Sequence, residues 1–330
     1  MLSNKKFSNH PLLVTGAAGF VGSRFAQACA DRGQEVICVD RTGYFSERSE
    51  IRATGFGTIV DRDQLFDWLK REKPALGGIV HLGACANTME TDEAFLFRNN
   101  VEYSQRLWNH ARELGIPFIY ASSAATYGDG SEGYDDDEAR ISRLKPLNLY
   151  GNSKHLFDLW ALEQERQGSH PPQWAGFKFF NVYGFGERHK KNMASVVLHA
   201  YEQIRATHAM KLFRSHREGV ADGHQSRDFV FVDDVINVLF FALAKPIRRG
   251  IFNLGTGKAR PFVELARATF AAMKQPEKIE FIDTPLSIRD KYQYFTQAKM
   301  DKLKAEGYTR AFTDLDTGVR SYVSRLQAGR

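Results

Sequence analysis

Near the start of the chain, Gly16-Ala17-Ala18-Gly19-Phe20-Val21-Gly22 places three glycines at a three-residue spacing, behind the apolar run Leu12-Leu13-Val14-Thr15 and ahead of an amphipathic stretch. A strand that turns into a helix through such a loop has a narrow set of uses. Glycines without Cβ atoms allow the tight turn and let backbone N–H groups approach a pyrophosphate at the positive end of the helix. Gly16, Gly19 and Gly22, with Phe20 and Val21 in the first turn, therefore predict a dinucleotide site. The next apolar run, 35–40, ends at Asp40, near the spacing expected of a carboxylate that binds an adenosine ribose, and Arg41 follows directly. Asp40 favours NAD through its 2′-hydroxyl, whereas the Arg41 guanidinium can hold the 2′-phosphate of NADP; the two residues leave both cofactors open.

The rest of the chain continues the same rhythm. Short β-branched runs at 12–16, 35–40, 78–84, 117–123 and 174–184 alternate with helical stretches near 20–32, 63–71, 93–114 and 150–166. This pattern predicts an α/β fold, a Rossmann-type doubly wound parallel sheet, with connections long enough for right-handed crossovers. After Gly184 come a Lys/His-bearing loop, a helix near 192–206, a charged loop at 214–228 and helices near 232–245, 262–273, 297–306 and 314–327. The run 252–257 reads as one more sheet strand. The expected layout is an NAD(P)-binding Rossmann domain from 1–184 with about 227–257 returning to it. A smaller, mainly helical substrate lobe then takes about 185–226 and 258–330.

Composition excludes several alternatives. No apolar run approaches the roughly 20 residues that span a bilayer, which argues against the membrane. The polar opening MLSNKKFSNH reads as a short disordered leader rather than a signal. Cys29, Cys38 and Cys85 form no C-x-x-C pair and lie in apolar segments expected to be buried, which fits a reducing cytoplasm. A net charge of +6, with bases interspersed among acids, argues against nucleic acid and suits an anionic small substrate. The acid run Tyr134-Asp135-Asp136-Asp137-Glu138 reads as a solvated loop, and no metal site is expected.

Tyr150 and Lys154, four residues apart, fall on one face of a helix. A nearby ammonium stabilises a phenolate and makes it a competent base toward a sugar hydroxyl. Ser123 lies at the C-terminal end of a predicted strand, where open α/β sheets bind ligands, and can hydrogen-bond the reacting oxygen.

The glycine loop, HLGA at 81–84, Asn99, ASSAATYG at 121–128 and YGNSK at 150–154 occur in the order found in the extended short-chain dehydrogenase/reductase family. HLGACANT at 81–88, KPLNLYGNSKHLFD at 145–158, HKKNMASVVLH at 189–199, RDFVFVDDV at 227–235 and YQYFTQA at 292–298 narrow this further. Over essentially its whole length the sequence resembles the ADP-glyceromanno-heptose 6-epimerases. The resemblance implies an ADP-heptose substrate inverted at C6 through a transient ketone, for lipopolysaccharide core synthesis in the cytoplasm. It also implies a tightly bound NADP, with NAD as the alternative, and a homo-oligomer, with the homopentamer leading. Tyr150 matches the family's first acid-base residue and Lys190 its second; burial and the neighbouring cations Arg188 and Lys191 are expected to make Lys190 usable. Cofactor contacts implied in the same way are Phe20, Val21, Asp40, Arg41, Leu82, Gly83, Ala84, Asn99, Lys154, Val182 and Lys190. Implied substrate contacts are Ser123, Asn181, Asn192, His199, Phe213, Arg214, Ser215, Arg227 and Tyr292, with Arg227 suited to a diphosphate. Asn192 stands where a small serine is expected, and 214–226 is longer than in the typical enzyme. Both departures bear on which sugar is bound. Rival readings are another nucleotide-sugar epimerase or dehydratase, as in UDP-glucose 4-epimerase, and a non-catalytic dinucleotide-binding sensor.

Overall fold

The computed structural model describes residues 6–51, 54–289 and 292–329. Seven parallel strands form the central sheet: β1 (Leu12–Thr15), β2 (Val36–Asp40), β3 (Thr58–Asp61), β4 (Gly78–His81), β5 (Phe118–Ser123), β6 (Trp174–Phe179) and β10 (Gly250–Leu254), in the order β10-β6-β5-β4-β1-β2-β3. The order reverses between β1 and β4, and the crevice outside the strand ends at that switch point is where such sheets bind ligands. The expected Rossmann-type doubly wound parallel sheet is the one observed. β10 is the extra strand read from 252–257, now placed beside β6 with Gly250 opposite Ala175.

The remaining strands make two small sheets. β7 (Asn181–Tyr183), β9 (Ser226–Phe231) and β11 (Ala259–Pro261) form one, and β8 (Met210–Phe213) pairs with β12 (Ile279–Ile282) in the other. The single long strand expected over 174–184 is two strands, separated at Phe180, whose N–H makes the last bond to β10, donating to Leu254 O at 3.0 Å, before β7 pairs with β9 instead. The expected charged loop 214–228 ends in β9, whose residues from Arg227 onward are buried.

Two apolar clusters hold the chain together. One lies around the large sheet, where Phe25 meets Phe240 at 5.0 Å between centroids and Trp108 packs on Trp160 and Trp174. Ala298, Met300, Leu303 and Tyr308 complete it from late in the chain. The other joins the helices Val196–Thr207, Phe262–Met273 and Leu315–Gln327, and takes in Phe20 from the glycine loop.

Three expectations need correction. The opening segment is not wholly a disordered leader: Phe7 stacks on Phe240 at 4.9 Å, and the Phe7 and Ser8 N–H groups donate to Gln34 Oε1. Residues 1–5 of that segment lie outside the described residues. The acid run at 134–138 is not a solvated loop. Asp136 is buried and accepts from Asn253 N at 2.7 Å, Asp135 pairs with Lys299, and Glu138 pairs with Lys302, so the run ties β10 to the late chain. Third, Cys29 and Cys38 are buried as expected, but Cys85 is only half-buried and lines the central cavity.

Candidate active site

A cavity of about 470 Å³ runs along the C-terminal ends of the central strands, from Asp40 to Lys190. The glycine loop forms its floor. Gly16 has φ +68°, and a Cβ there would stand 2.6 Å from Gly83 N, so the β1 and β4 loops touch backbone to backbone. Beneath them the buried His81 bridges Thr15 Oγ1 at 2.6 Å and Ser104 Oγ at 2.8 Å, and Thr15 Oγ1 accepts from Gly83 N. The helix Phe20–Ala30 begins here with no side-chain cap and no acid in its first turn. Its first N–H groups therefore face the cavity as free donors, the arrangement a pyrophosphate requires. Gly19, Phe20, Val21 and Gly22 all line it, so the residues fit a bound dinucleotide.

Asp40 closes the far end. Its two oxygens accept from Ala18 N at 3.1 Å and Arg41 N at 2.9 Å. Burial raises its pKa, opposed by the Arg41 N–H and by the Arg48 guanidinium. Arg41 is exposed and reaches the Tyr44 hydroxyl, while Arg48 donates to Ala18 O across the loop. Leu82, Gly83 and Ala84 form one wall. Asn99 belongs to a π-helical segment, Phe97–Glu102, and accepts from Arg62. Such widened turns concentrate at functional sites because they re-aim side chains. The next residue, Asn100, clamps Cys85 through its N–H and C=O and reaches Ser153 Oγ at 2.9 Å.

Ser123, Tyr150 and Lys154 meet where β5 ends beside the helix Leu149–Arg166, whose N-cap Asn148 accepts from Gly151 N at 2.7 Å. Burial raises the Tyr150 pKa, and the leading opposing influence is the facing Ser123 hydroxyl. Lys154 Nζ donates to Ala121 O at 2.8 Å. Burial pulls its pKa down to about 8 against the carboxylate of Asp158. Asp158 is itself fully buried and pairs with Lys178 at 2.6 Å directly behind this corner.

Lys190 enters the same cavity from the short helical turn Arg188–Met193. Its surroundings differ from the expectation of burial among cations. The side chain is 28% exposed, and its ion-pair partner is the buried Glu187, 3.7 Å away. Arg188 pairs instead with Glu50 and Glu202. Lys191 has a positive φ of 49° and is exposed, so of this pair of lysines it is Lys190 that lines the cavity. Val182 completes that wall.

The other residues named from the sequence are not among those that line this cavity, although Asn181 stands between two that do, Phe180 and Val182. Phe213, Arg227 and Tyr292 form a cluster, with Phe213 and Tyr292 edge to face at 6.0 Å and the Arg227 guanidinium 5.5 Å from the Tyr292 ring. Arg227 is buried and donates to the Ser226 and Gln293 carbonyls, so part of its fork is engaged by backbone. Arg214 pairs with Asp222 and Asp283, and Ser215 N donates to Asp222. Asn181 and Asn192 are exposed, and His199 is half-buried on the helix Val196–Thr207. Sequence reasoning missed Arg48, Arg62 and His189, which also line the cavity. His189 has its pKa lowered to about 4, first by burial and then by Arg48 and Lys190. Among the described residues, no group of three or more His, Cys, Asp or Glu gathers as for a metal ion, and no helix is long and apolar enough to cross a membrane.

Comparison with known proteins gives a consistent result. The model of the NAD dependent epimerase/dehydratase family matches residues 12–255. An ADP-L-glycero-D-manno-heptose-6-epimerase of Fusobacterium nucleatum is 43% identical over 328 residues, covering 96% of this chain and 98% of the relative. One from Nitratidesulfovibrio vulgaris is 44% identical over 319 residues, with the same coverage. Among solved structures, the Helicobacter pylori ADP-L-glycero-D-manno-heptose-6-epimerase superposes with a TM-score of 0.83 at 26% identity, covering 99% of each chain.

Proposed function

Since the chain belongs to the NAD dependent epimerase/dehydratase family and stands among its ADP-L-glycero-D-manno-heptose-6-epimerases, we propose that it inverts C6 of the heptose in ADP-D-glycero-D-manno-heptose to give ADP-L-glycero-D-manno-heptose. The observation that carries this reading is that two proton-carrying groups from different elements, Tyr150 and Lys190, line one cavity with the glycine loop. A one-sided dehydrogenase needs a single acid-base residue. Two such groups suit an inversion in which the sugar presents its hydroxyl in two orientations, one residue serving each.

A nicotinamide held by the glycine loop would supply a reversible acceptor for the hydride of C6. The side chains supply the rest. Tyr150 exchanges the hydroxyl proton in one orientation of the sugar, with Ser123 holding the same oxygen and the Lys154 ammonium favouring the phenolate. Lys190 exchanges the proton in the other orientation, after the C6 ketone has turned over. Phe213, Arg214, Ser215, Arg227, Tyr292, Asn181, Asn192 and His199 are proposed to hold the ADP-sugar. Ala124 and Ala125 follow Ser123, so that corner offers no carboxylate of the kind a dehydratase would use to expel a hydroxyl.

We further propose NADP as the cofactor. Two guanidinium groups, Arg41 and Arg48, flank Asp40, whose oxygens already accept two loop N–H groups and are less free for a ribose hydroxyl. The proposal extends to the domain division given above, a cytoplasmic homo-oligomer and a role in lipopolysaccharide synthesis. The test is incubation of the purified protein with ADP-D-glycero-D-manno-heptose followed by separation of the C6 epimers. Interconversion is expected; its absence, with turnover of UDP-glucose instead, would overturn the assignment.

A further inference from the structure

Glu187 is fully buried, yet nothing in the acid-base scheme above uses it. A carboxylate without solvent costs several kcal/mol unless donors surround it. Glu187 has them, all from its own loop. Ser195 N donates at 2.7 Å and Ser195 Oγ at 2.6 Å, while Gly184 N approaches at 3.4 Å. The buried Tyr322 phenol lies against it, and burial and the Glu187 charge both oppose ionisation of that phenol. These contacts staple the two ends of the segment that carries Lys190. Inside the staple, Lys190 N donates to Glu187 O at 2.9 Å, and Ala194 N to Lys191 O at 3.0 Å.

The ammonium of Lys190 then sits between two fixed objects. Glu187 Oε2 is 3.7 Å away, and the centre of the Phe20 ring is 5.2 Å from Nζ. Phe20 belongs to the first turn of the glycine-loop helix, so this contact ties the lysine to the cofactor side of the cavity. At 3.7 Å the carboxylate attracts the ammonium without a committed hydrogen bond, and its short bonds go to Ser195 N on Oε2 and Ser195 Oγ on Oε1. The lysine protons stay available to a substrate oxygen.

We infer that Glu187 is the positioning residue of the second proton-transfer site: its buried carboxylate holds the Lys190 turn closed and fixes the ammonium at the cavity wall. This inference rests on the reading of Lys190 as the second acid-base group. It predicts an asymmetry. Loss of the carboxylate should impair the half-reaction that uses Lys190 and spare the one that uses Tyr150.

The experiment is single-turnover mixing of the cofactor-loaded enzyme with each C6 epimer of ADP-heptose separately, following the near-ultraviolet absorbance of reduced nicotinamide. Glu187→Gln is expected to slow reduction by one epimer by about a hundredfold, the loss that a displacement of about an ångström inflicts on a reacting group. Reduction by the other epimer should stay near wild type, and Glu187→Asp, which restores the charge, should recover part of the loss. Equal slowing with both epimers, or no slowing with either, overturns the inference. Should Glu187→Gln fail to retain cofactor, Ser195→Ala removes one donor from the staple and is held to the same selective slowing. Lys190→Ala separates this failure from that of the underlying reading. If it leaves both half-reactions intact, Lys190 is not an acid-base residue; if it abolishes one while Glu187→Gln abolishes neither, only the role of Glu187 falls.

Discussion

Replacing Lys178 with methionine should destabilise the protein far more than replacing both Lys178 and its partner Asp158. Both side chains are completely inaccessible to solvent, and Nζ lies 2.6 Å from Asp158 Oδ2. Asp158 also accepts from Tyr120 at 2.9 Å and Ser122 at 2.7 Å, and Lys178 donates to Thr126 at 2.7 Å. Lys178→Met leaves a buried carboxylate with two hydroxyl donors and no ion-pair partner, Lys154 acting on it without an ion-pair contact, at a cost of about 3–5 kcal/mol. The double variant Asp158→Asn/Lys178→Met removes the stranded charge and keeps an amide oxygen for one of the two hydroxyls, the amide N–H2 facing the other. Its cost should fall to about 1–2 kcal/mol, the scale of an imperfectly replaced hydrogen bond. Urea unfolding at fixed cofactor concentration reads the difference through the midpoint and slope. A double variant as unstable as Lys178→Met alone would refute the argument, because the loss would then come from lost packing rather than from an unpaired charge.

Three further outcomes are expected. The Lys154 ammonium, pulled down to about 8, is charged below that pH and lost above it, so epimerisation should fall on an alkaline limb near 8; Asp158→Asn removes the leading influence holding that value up and should move the limb to lower pH in a pH–rate profile. Gly16→Ala forces a side chain into a left-handed φ and against the Gly83 backbone, and should give protein with a lowered melting temperature that purifies without bound dinucleotide. Under the NADP reading, Arg48→Ala combined with Arg41→Ala should weaken NADP binding by at least about tenfold, the worth of one charge-assisted contact, while leaving NAD binding near its starting value by calorimetric titration.

Much of this architecture was legible because the glycine loop and the strand rhythm are local patterns. The residues named from sequence for the cofactor all line the central cavity, several of them because they sit just past a strand whose apolar run is easy to see, as Gly16, Arg41 and Leu82 do. What escaped detection depends on partners distant in sequence. β3 was missed because it is an edge strand with two exposed residues and little apolar signature. Arg48 and Arg62 gave no local signal, as a loop arginine earns its place only through the groups it meets, here Ala18 O and Asn99. The acid run at 134–138 was misread for the same reason: its lysine partners, Lys299 and Lys302, lie more than 160 residues away. Lys190 was identified from its motif, but the charge beside it was expected to be positive. The buried Glu187 three residues earlier was visible in the sequence, yet its enclosure by Ser195 and Tyr322 was not.

The place of β10 at the edge of the large sheet bears on how the molecule is made. Every residue lining the cavity has been translated once Lys190 is added, but β6 keeps one bare edge until residue 254 follows. That interval is 254 minus 179, or 75 residues, which at roughly 5–20 residues per second is about 4–15 s of translation. During it the nascent chain exposes an apolar strand with unsatisfied backbone donors and acceptors, the usual template for intermolecular pairing. A ribosome-stalled chain ending near residue 245 should therefore bind holding chaperones and aggregate on release, although the whole cavity has already been translated.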